Sequence, residues 1–169
     1  MVRVAIVGHR DLGGARTSEF VADASHGVLS AAQLRWPRVS AVSALAEGAD
    51  TIFAEAALAL GIPLRVVTPF RGYEADFLDH ATRRRYEELR EAAESEERLP
   101  FASRSRRAYK AAMRWVVQNS DLLVAAWDGR PGLGPGGTAD AVQHAVAMGR
   151  EVIHVDVRAL AVRTYGGVS

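Results

Sequence analysis

The chain has 169 residues, with 21 Lys and Arg against 20 Asp and Glu, and it contains no cysteine. This length is typical of one domain. The near-zero net charge argues against nucleic acid as a partner, because such binding needs a basic surface. The lack of cysteine excludes disulfides, thiolate metal sites and a cysteine nucleophile. Apolar runs are too short to span a membrane, and the N-terminus lacks a signal-peptide core. We therefore expect a cytoplasmic protein with no membrane partner.

Short apolar runs alternate with helical patterns along the chain. The runs predicted to be strands are, in order, Val2–Val7, Val39–Ala44, Leu64–Thr68, Leu122–Trp127 and Val152–Val155. The segments predicted to be helices are one that ends before Pro37, then Asp50–Leu60, Arg83–Glu97, Ala108–Gln118 and Thr138–Met148. This alternation is typical of a parallel sheet covered by helices.

The pattern predicts an α/β fold with a doubly wound, Rossmann-like, five-stranded parallel sheet in the order 3-2-1-4-5 and helices on both faces. Residues 1–157 form this single domain, and residues 158–169 form a C-terminal tail that we expect to fray. In this order the first and fourth strands are neighbours. Ligands bind outside the carboxyl ends of strands at such a switch point. The sequence therefore predicts a site built from the loops at residues 8–14 and 128–137.

The first of these loops begins Gly8-His9-Arg10. It is neither the dinucleotide fingerprint nor a P-loop, because the required glycine and lysine spacings are absent. A guanidinium at the switch point can clamp a phosphate or carboxylate, so we predict that Arg10, with His9, contacts the ligand. The alternative is that both side chains only close the strand ends by pairing with nearby carboxylates, namely Asp11, Glu47 or Asp128.

The second loop ends in Gly136-Gly137-Thr138 at the start of a helix. Backbone N–H groups, the hydroxyl and the helix dipole there predict an anion site. The alternative is that Thr138 only caps the helix. Asp128 directly ends the fourth strand, where its carboxylate could orient Arg10 or a ribose.

The loop after the second strand contains Glu47, Gly48 and Asp50. Glu47 could accept hydrogen bonds from ribose hydroxyls or act as a general base, whereas Asp50 is predicted to cap the following helix. The five histidines show no metal-ligand spacing, so no metal and no cofactor are predicted. Tyr109 and Arg107 lie near a helix start and could reach the pocket.

Three motifs resemble those of the SLOG superfamily, a Rossmann-like group that includes the LOG and DprA families. They are Gly8-His9-Arg10-Asp11-Leu12, the stretch Ser43 to Asp50, and Trp127-Asp128-Gly129 running to Gly136-Gly137-Thr138. The resemblance covers residues 2–157 and is to stand-alone bacterial members. It implies a pocket for a nucleotide or nucleotide-derived molecule, contacted by Arg10, Glu47, Gly136, Gly137 and Thr138. It also implies a homodimer, for which the helix at 83–97 is a candidate contact.

LOG enzymes cleave the N-glycosidic bond of nucleotides and carry the motif P-G-G-x-G-T-x-x-E. This chain has Pro135-Gly136-Gly137-Thr138 without the x-G insertion, with Ala141 in the glutamate register and Asp140 one residue earlier. We therefore predict a nucleotide-binding or sensor protein. The alternative is a LOG-like phosphoribohydrolase with Glu47 or Asp140 as the catalytic candidate. A DprA-like binder of single-stranded DNA is the third alternative.

Overall fold

The computed structural model describes residues 1–132 and 136–166. The strands are β1 Val2–Gly8, β2 Val39–Ser43, β3 Leu64–Thr68, β4 Ser95–Arg98, β5 Leu122–Trp127, β6 Glu151–Asp156 and β7 Ala161–Gly166. The helices are α1 Ala15–Arg35, α2 Ala49–Ala59, α3 His80–Glu91, α4 Arg106–Gln118 and α5 Thr138–Ala147. A short 3-10 turn, Tyr73–Asp76, precedes α3. None of the helices described is long and apolar enough to cross a membrane.

All strands belong to one sheet with the order β4-β3-β2-β1-β5-β6-β7. Its five inner strands are the predicted ones in the predicted order, and they pair in parallel. The prediction of five strands is wrong, because within the described residues the sheet has seven. The strand β4 adds a parallel edge next to β3, and β7 adds an antiparallel edge next to β6.

Both additional strands lacked the apolar signal on which the prediction relied. The strand β4 reads Ser-Glu-Glu-Arg and is held by backbone pairing at an edge, and its first three residues fall within the helix predicted at 83–97. That helix is α3 and ends at Glu91. The segment predicted to fray forms β7 over Ala161–Gly166, where backbone pairing with β6 holds mostly exposed residues. Residues 167–169 lie outside the described part of the chain.

The core lies on both faces of the sheet because side chains alternate along each strand. In β1, Val4 and Ile6 pack with α1 and α2, whereas Ala5 and Val7 pack with α4 and α5. The predicted covering of the sheet by helices on both faces is thus confirmed.

Two glycines let the loops at the carboxyl edge pack closely. A Cβ at Gly8 would lie 2.5 Å from Ala49 Cβ and 2.7 Å from the carbonyl oxygen of Ala126. A Cβ at Gly48, whose φ is +87°, would lie 2.3 Å from the carbonyl oxygen of Arg10. The start of α2 therefore lies directly against the end of β1 and the loop that follows it.

Candidate functional site

A cleft of about 750 Å³ opens at the carboxyl ends of β1 and β5, at the predicted switch point. Its walls come from the loop after β1, the first turn of α2, the α4 helix and the start of α5. The predicted site residues that line it are Gly8, His9, Arg10, Asp128, Gly136, Gly137 and Thr138.

The loop after β2 places its residues differently from the prediction. Glu47 and Gly48 line a separate groove of about 900 Å³ between α1, α2 and α3, which we call the helical groove. Gly48 packs on the backbone of Arg10, and Glu47, the residue before it, is exposed. The structure therefore brings Glu47 together with Gly48 and Arg10 in the helical groove, and not with the predicted contacts that line only the cleft.

Arg10 is held at the mouth of the cleft by groups that the sequence did not assign to it. Its guanidinium carbon lies 5.2 Å from the centre of the Tyr109 ring, and its Nη1 lies 3.7 Å from Asp76 Oδ2. Burial would lower the pKa of Arg10, but Tyr73, Tyr109 and Asp76 raise it overall. The side chain is 46% exposed. The result is a fixed, charged group that remains open to a ligand.

Asp76 connects these groups from the 3-10 turn. The hydroxyl of Tyr109 donates to Asp76 Oδ2, and Arg104 Nε lies 3.8 Å from Asp76 Oδ1. Partial burial and the Asp76 carboxylate both raise the pKa of Tyr109. Tyr109 and Arg107 are the two residues of α4 expected to reach the pocket. Tyr109 lines the cleft, whereas Arg107 does not and the neighbouring Arg106 does. Asp76 was missed because it lies in an irregular, charged stretch without a motif.

Asp128 pairs with His9 and not with Arg10. Its backbone N–H donates to His9 Nε2 at 3.3 Å, and this ring nitrogen lies 3.5 Å from Asp128 Oδ1. The backbone N–H of Arg130 donates to the same carboxylate, and together with His9 it lowers the pKa of Asp128. The alternative of side chains that pair at the strand ends therefore describes His9 and Asp128, although both also line the cleft.

The start of α5 forms the opposite wall. Gly136, with φ +89°, packs against the backbone of Lys110 in α4 and donates its N–H to Asp140 Oδ2 at 2.8 Å. Asp140 is thus engaged in holding the turn. Gly137 occupies the cap position of α5, so Thr138 is the first helical residue and not the cap. Pro135 and the two residues before it lie outside the described residues.

Asp50 is predicted to cap α2, but in the structure it is a buried carboxyl group beside the cleft. It lines the cleft, is 6% exposed and accepts a hydrogen bond from the N–H of Ala46 at 3.3 Å. Burial raises its pKa to about 7, opposed by that backbone bond and by the charge of Arg10. The cap position of α2 is occupied by Gly48. The available signal was a carboxylate shortly after a buried strand at the switch point.

Outside the cleft, several charged residues pair with one another. Arg84 contacts Glu88, Arg85 contacts Glu55, and Arg98 contacts Glu96. These contacts give α3 and its surroundings an ion-paired face towards solvent. The predicted homodimer contact at this helix stays a prediction. Within residues 1–132 and 136–166, no three His, Asp or Glu side chains come together as a metal site.

Solved structures with the same fold include two DNA processing proteins. DprA from Streptococcus pneumoniae superposes with a TM-score of 0.66 at 20% identity, over 91% of this chain and 50% of that one. DprA from Helicobacter pylori, which binds single-stranded DNA, gives 0.62 at 18% identity, over 90% and 64%. The protein TM1055 gives 0.57 at 12% identity, over 90% and 72%.

These similarities establish the fold. The chain spans 50% and 64% of the two DprA chains, so the activities of those longer proteins do not transfer with the fold. No protein-family model and no curated protein sequence matches the chain. The DprA-like Rossmann fold is therefore established, while membership of the SLOG superfamily stays a prediction.

Proposed function

We propose that this protein binds a phosphate-bearing, nucleotide-type small molecule in the cleft. The observation that carries the proposal is Arg10, a fixed and half-exposed guanidinium at the switch point of the sheet. Its planar group suits bidentate contact with a phosphate. The cleft volume of about 750 Å³ falls within the range of about 300–1,000 Å³ that is common for small-molecule sites.

The walls of the cleft suit the two ends of a nucleotide. Arg106 and Arg130 also line the cleft with Arg10, and the start of α5 adds the positive end of a helix dipole. On the α4 side, Met113 and Val116 provide an apolar surface. A phosphate is expected among the cations and a base against the apolar wall. The three motifs that resemble SLOG proteins all end near this cleft, so we place the chain in that superfamily as a ligand-binding or sensor protein.

Isothermal titration calorimetry with the four ribonucleoside monophosphates and NAD tests this proposal. We expect at least one to bind. Replacing Arg10 by Ala removes a charge-assisted contact with the phosphate and is expected to weaken binding about 10–100-fold. Arg107→Ala is the matched control, because Arg107 is an exposed arginine that does not line the cleft. If no nucleotide binds near millimolar concentration, or if both variants lose affinity equally, the proposal is wrong.

Hydrolysis of an N-glycosidic bond is a second candidate, and the observation that favours it is Asp50. Glu47 lies outside the cleft and Asp140 is bonded to Gly136, whereas the Asp50 carboxyl lines the cleft. Incubation with AMP, NAD or cyclic ADP-ribose, followed by chromatography for free base, tests this activity. Release of base that disappears in Asp50→Asn but persists in Glu47→Gln would support it.

Single-stranded DNA is a third candidate, favoured by the fold shared with DprA and by the exposed arginines Arg106 and Arg107 at the start of α4. Anisotropy of a labelled oligothymidine measures this binding directly. DNA binding through phosphates must weaken steeply as salt is raised. A dissociation constant that does not depend on salt would exclude this candidate.

A further inference from the structure

We infer that Asp50, and not Glu47, contacts the sugar of the bound ligand, so that the cleft selects a ribonucleotide over its deoxyribonucleotide. This inference rests on the proposed nucleotide-binding function. It goes beyond that function because it assigns the specificity of the site to one side chain.

The position of Asp50 is fixed by the loop after β2. Ser43 Oγ donates to the backbone carbonyl of Asp50 at 3.2 Å and accepts the N–H of Leu45 at 3.0 Å. Leu45 is buried with a φ of +52°, a left-handed conformation that costs a non-glycine residue about 1–2 kcal/mol. Such strain persists only where the surrounding structure enforces it. The Asp50 carboxyl is therefore held in place before a ligand arrives.

The carboxyl retains acceptor capacity for a ligand. A carboxylate offers about four acceptor positions, and the backbone N–H groups of Ala46 and Ala44 occupy part of this capacity. Asp50 is among the residues that line the cleft, and the charge of Arg10, which lines it too, acts on this carboxyl. A fully ionised phosphate has no donor to offer an ionised carboxylate, and the base is expected against the apolar surface of α4. The hydroxyls of the sugar lie between these two groups and are donors.

The ionisation of Asp50 gives the preference a pH dependence. Burial disfavours the ionised form and raises the pKa to about 7, while the backbone N–H of Ala46 and the charge of Arg10 favour ionisation. The other titratable or charged groups around the cleft are Tyr73 and Asp76 from the 3-10 turn, Arg106 and Tyr109 from α4, His9 from the β1 loop, and Asp128 and Arg130 from the loop after β5. The ionised carboxylate is the stronger acceptor. The preference for a ribonucleotide is therefore expected to grow as pH rises from about 6 to about 8.

The first test needs no variant. The ribonucleoside monophosphate that binds most tightly is compared with its 2′-deoxy and 3′-deoxy forms by calorimetry at about pH 8. We expect at least one deoxy form to bind about 10–100-fold more weakly, because it leaves the buried acceptor without a donor. Equal binding of all three forms overturns the inference while leaving the proposed function intact.

The second test uses two carboxyl-to-amide variants from the same loop. In Asp50→Asn the ribonucleotide is expected to bind no better than the deoxy form, whose own affinity changes less than about threefold. In Glu47→Gln, which removes a carboxylate from the helical groove, the wild-type preference is expected to remain. A preference lost in Glu47→Gln and kept in Asp50→Asn overturns the inference. Failure of every nucleotide to bind wild-type protein instead refutes the proposed function itself.

Discussion

The cleft and the helical groove lie on opposite sides of the loop that follows β1, and Arg10 borders both. The groove is larger, at about 900 Å³ against 750 Å³, but its carboxylates dominate: Asp11, Glu19, Asp23, Glu47 and Glu55. The cleft combines fixed cations with a buried carboxyl whose pKa is raised to about 7. Size alone therefore does not identify a binding site. A better criterion for a binding site is that charged side chains meet there with a buried group whose pKa is shifted.

The largest expected effect comes from disrupting the contact between Gly48 and the backbone of Arg10, which lies between the cleft and the groove. In Gly48→Val a side chain would collide with the Arg10 backbone at a positive φ. We expect a loss of about 5 kcal/mol in the free energy of unfolding, from strain and overpacking together, and loss of nucleotide binding. Urea denaturation measures the loss. Gly13→Ala is the control, because Gly13 also has a positive φ but has open space around it, and about 1 kcal/mol is expected.

Asp50→Asn should show that the cleft contains a carboxyl group whose charge destabilises the folded protein. Folded Asp50 holds its proton up to about pH 7, whereas an unfolded Asp ionises above about pH 4. The folded state then binds more protons between these values, so this contribution to stability is lost as pH rises. Asn does not titrate. The stability of the variant relative to wild type should therefore rise by about 3 kcal/mol from about pH 4 to about pH 8.

Asp121→Asn provides a control of opposite sign. The pKa of Asp121 is lowered by its hydrogen bonds with Arg3 despite some burial. Its stabilising contribution is present above the unfolded pKa and is lost as pH falls. Relative to wild type, this variant should become less stable as pH rises from about 3 to about 6. If both variants show the same slope in urea unfolding, the assignment of Asp50 as the buried acid is wrong.

Charge reversal on each surface tests which one attracts the ligand. Arg106 lines the cleft and Arg85 lines the helical groove, and each is replaced by Glu. We expect the first to weaken binding of a nucleoside monophosphate about tenfold, more at low salt, and the second to change it less than about twofold. Calorimetry at two salt concentrations measures the nucleotide affinity of both variants. The reverse ranking would place the ligand in the groove.

The smallest effect is expected at Tyr109, which supports Arg10 in two ways. Tyr109→Phe removes the hydrogen bond to Asp76 but keeps the ring next to the guanidinium, and about 1 kcal/mol of stability should be lost. Tyr109→Leu also removes the cation–π contact and should lose about 0.5–1 kcal/mol more. Thermal unfolding of the two variants separates these contributions. Identical stability would show that the ring does not hold Arg10.

The inner strands could be predicted because each is a short run rich in apolar residues and bounded by a glycine, proline or polar loop. Their order could be predicted because crossovers between parallel strands are right-handed. The side-chain cluster around Arg10 could be predicted only in part. Asp76 and Tyr73 come from an irregular segment whose path no periodicity encodes. Glu47 and Asp50 are three residues apart, and which of them faces the cleft depends on the left-handed Leu45 and on the contact of Gly48 with Arg10. Such backbone details leave little trace in composition or spacing.

The edge strand β4 also bears on how the protein behaves at high concentration. An exposed sheet edge offers unpaired backbone groups to other chains, and short strands with charged side chains reduce this hazard. The strand β4 is four residues long, and Arg98 at its end forms an ion pair with Glu96. The polar residues of β4 prevented its prediction as a strand. The same residues disfavour pairing of this edge with another molecule, and so disfavour aggregation.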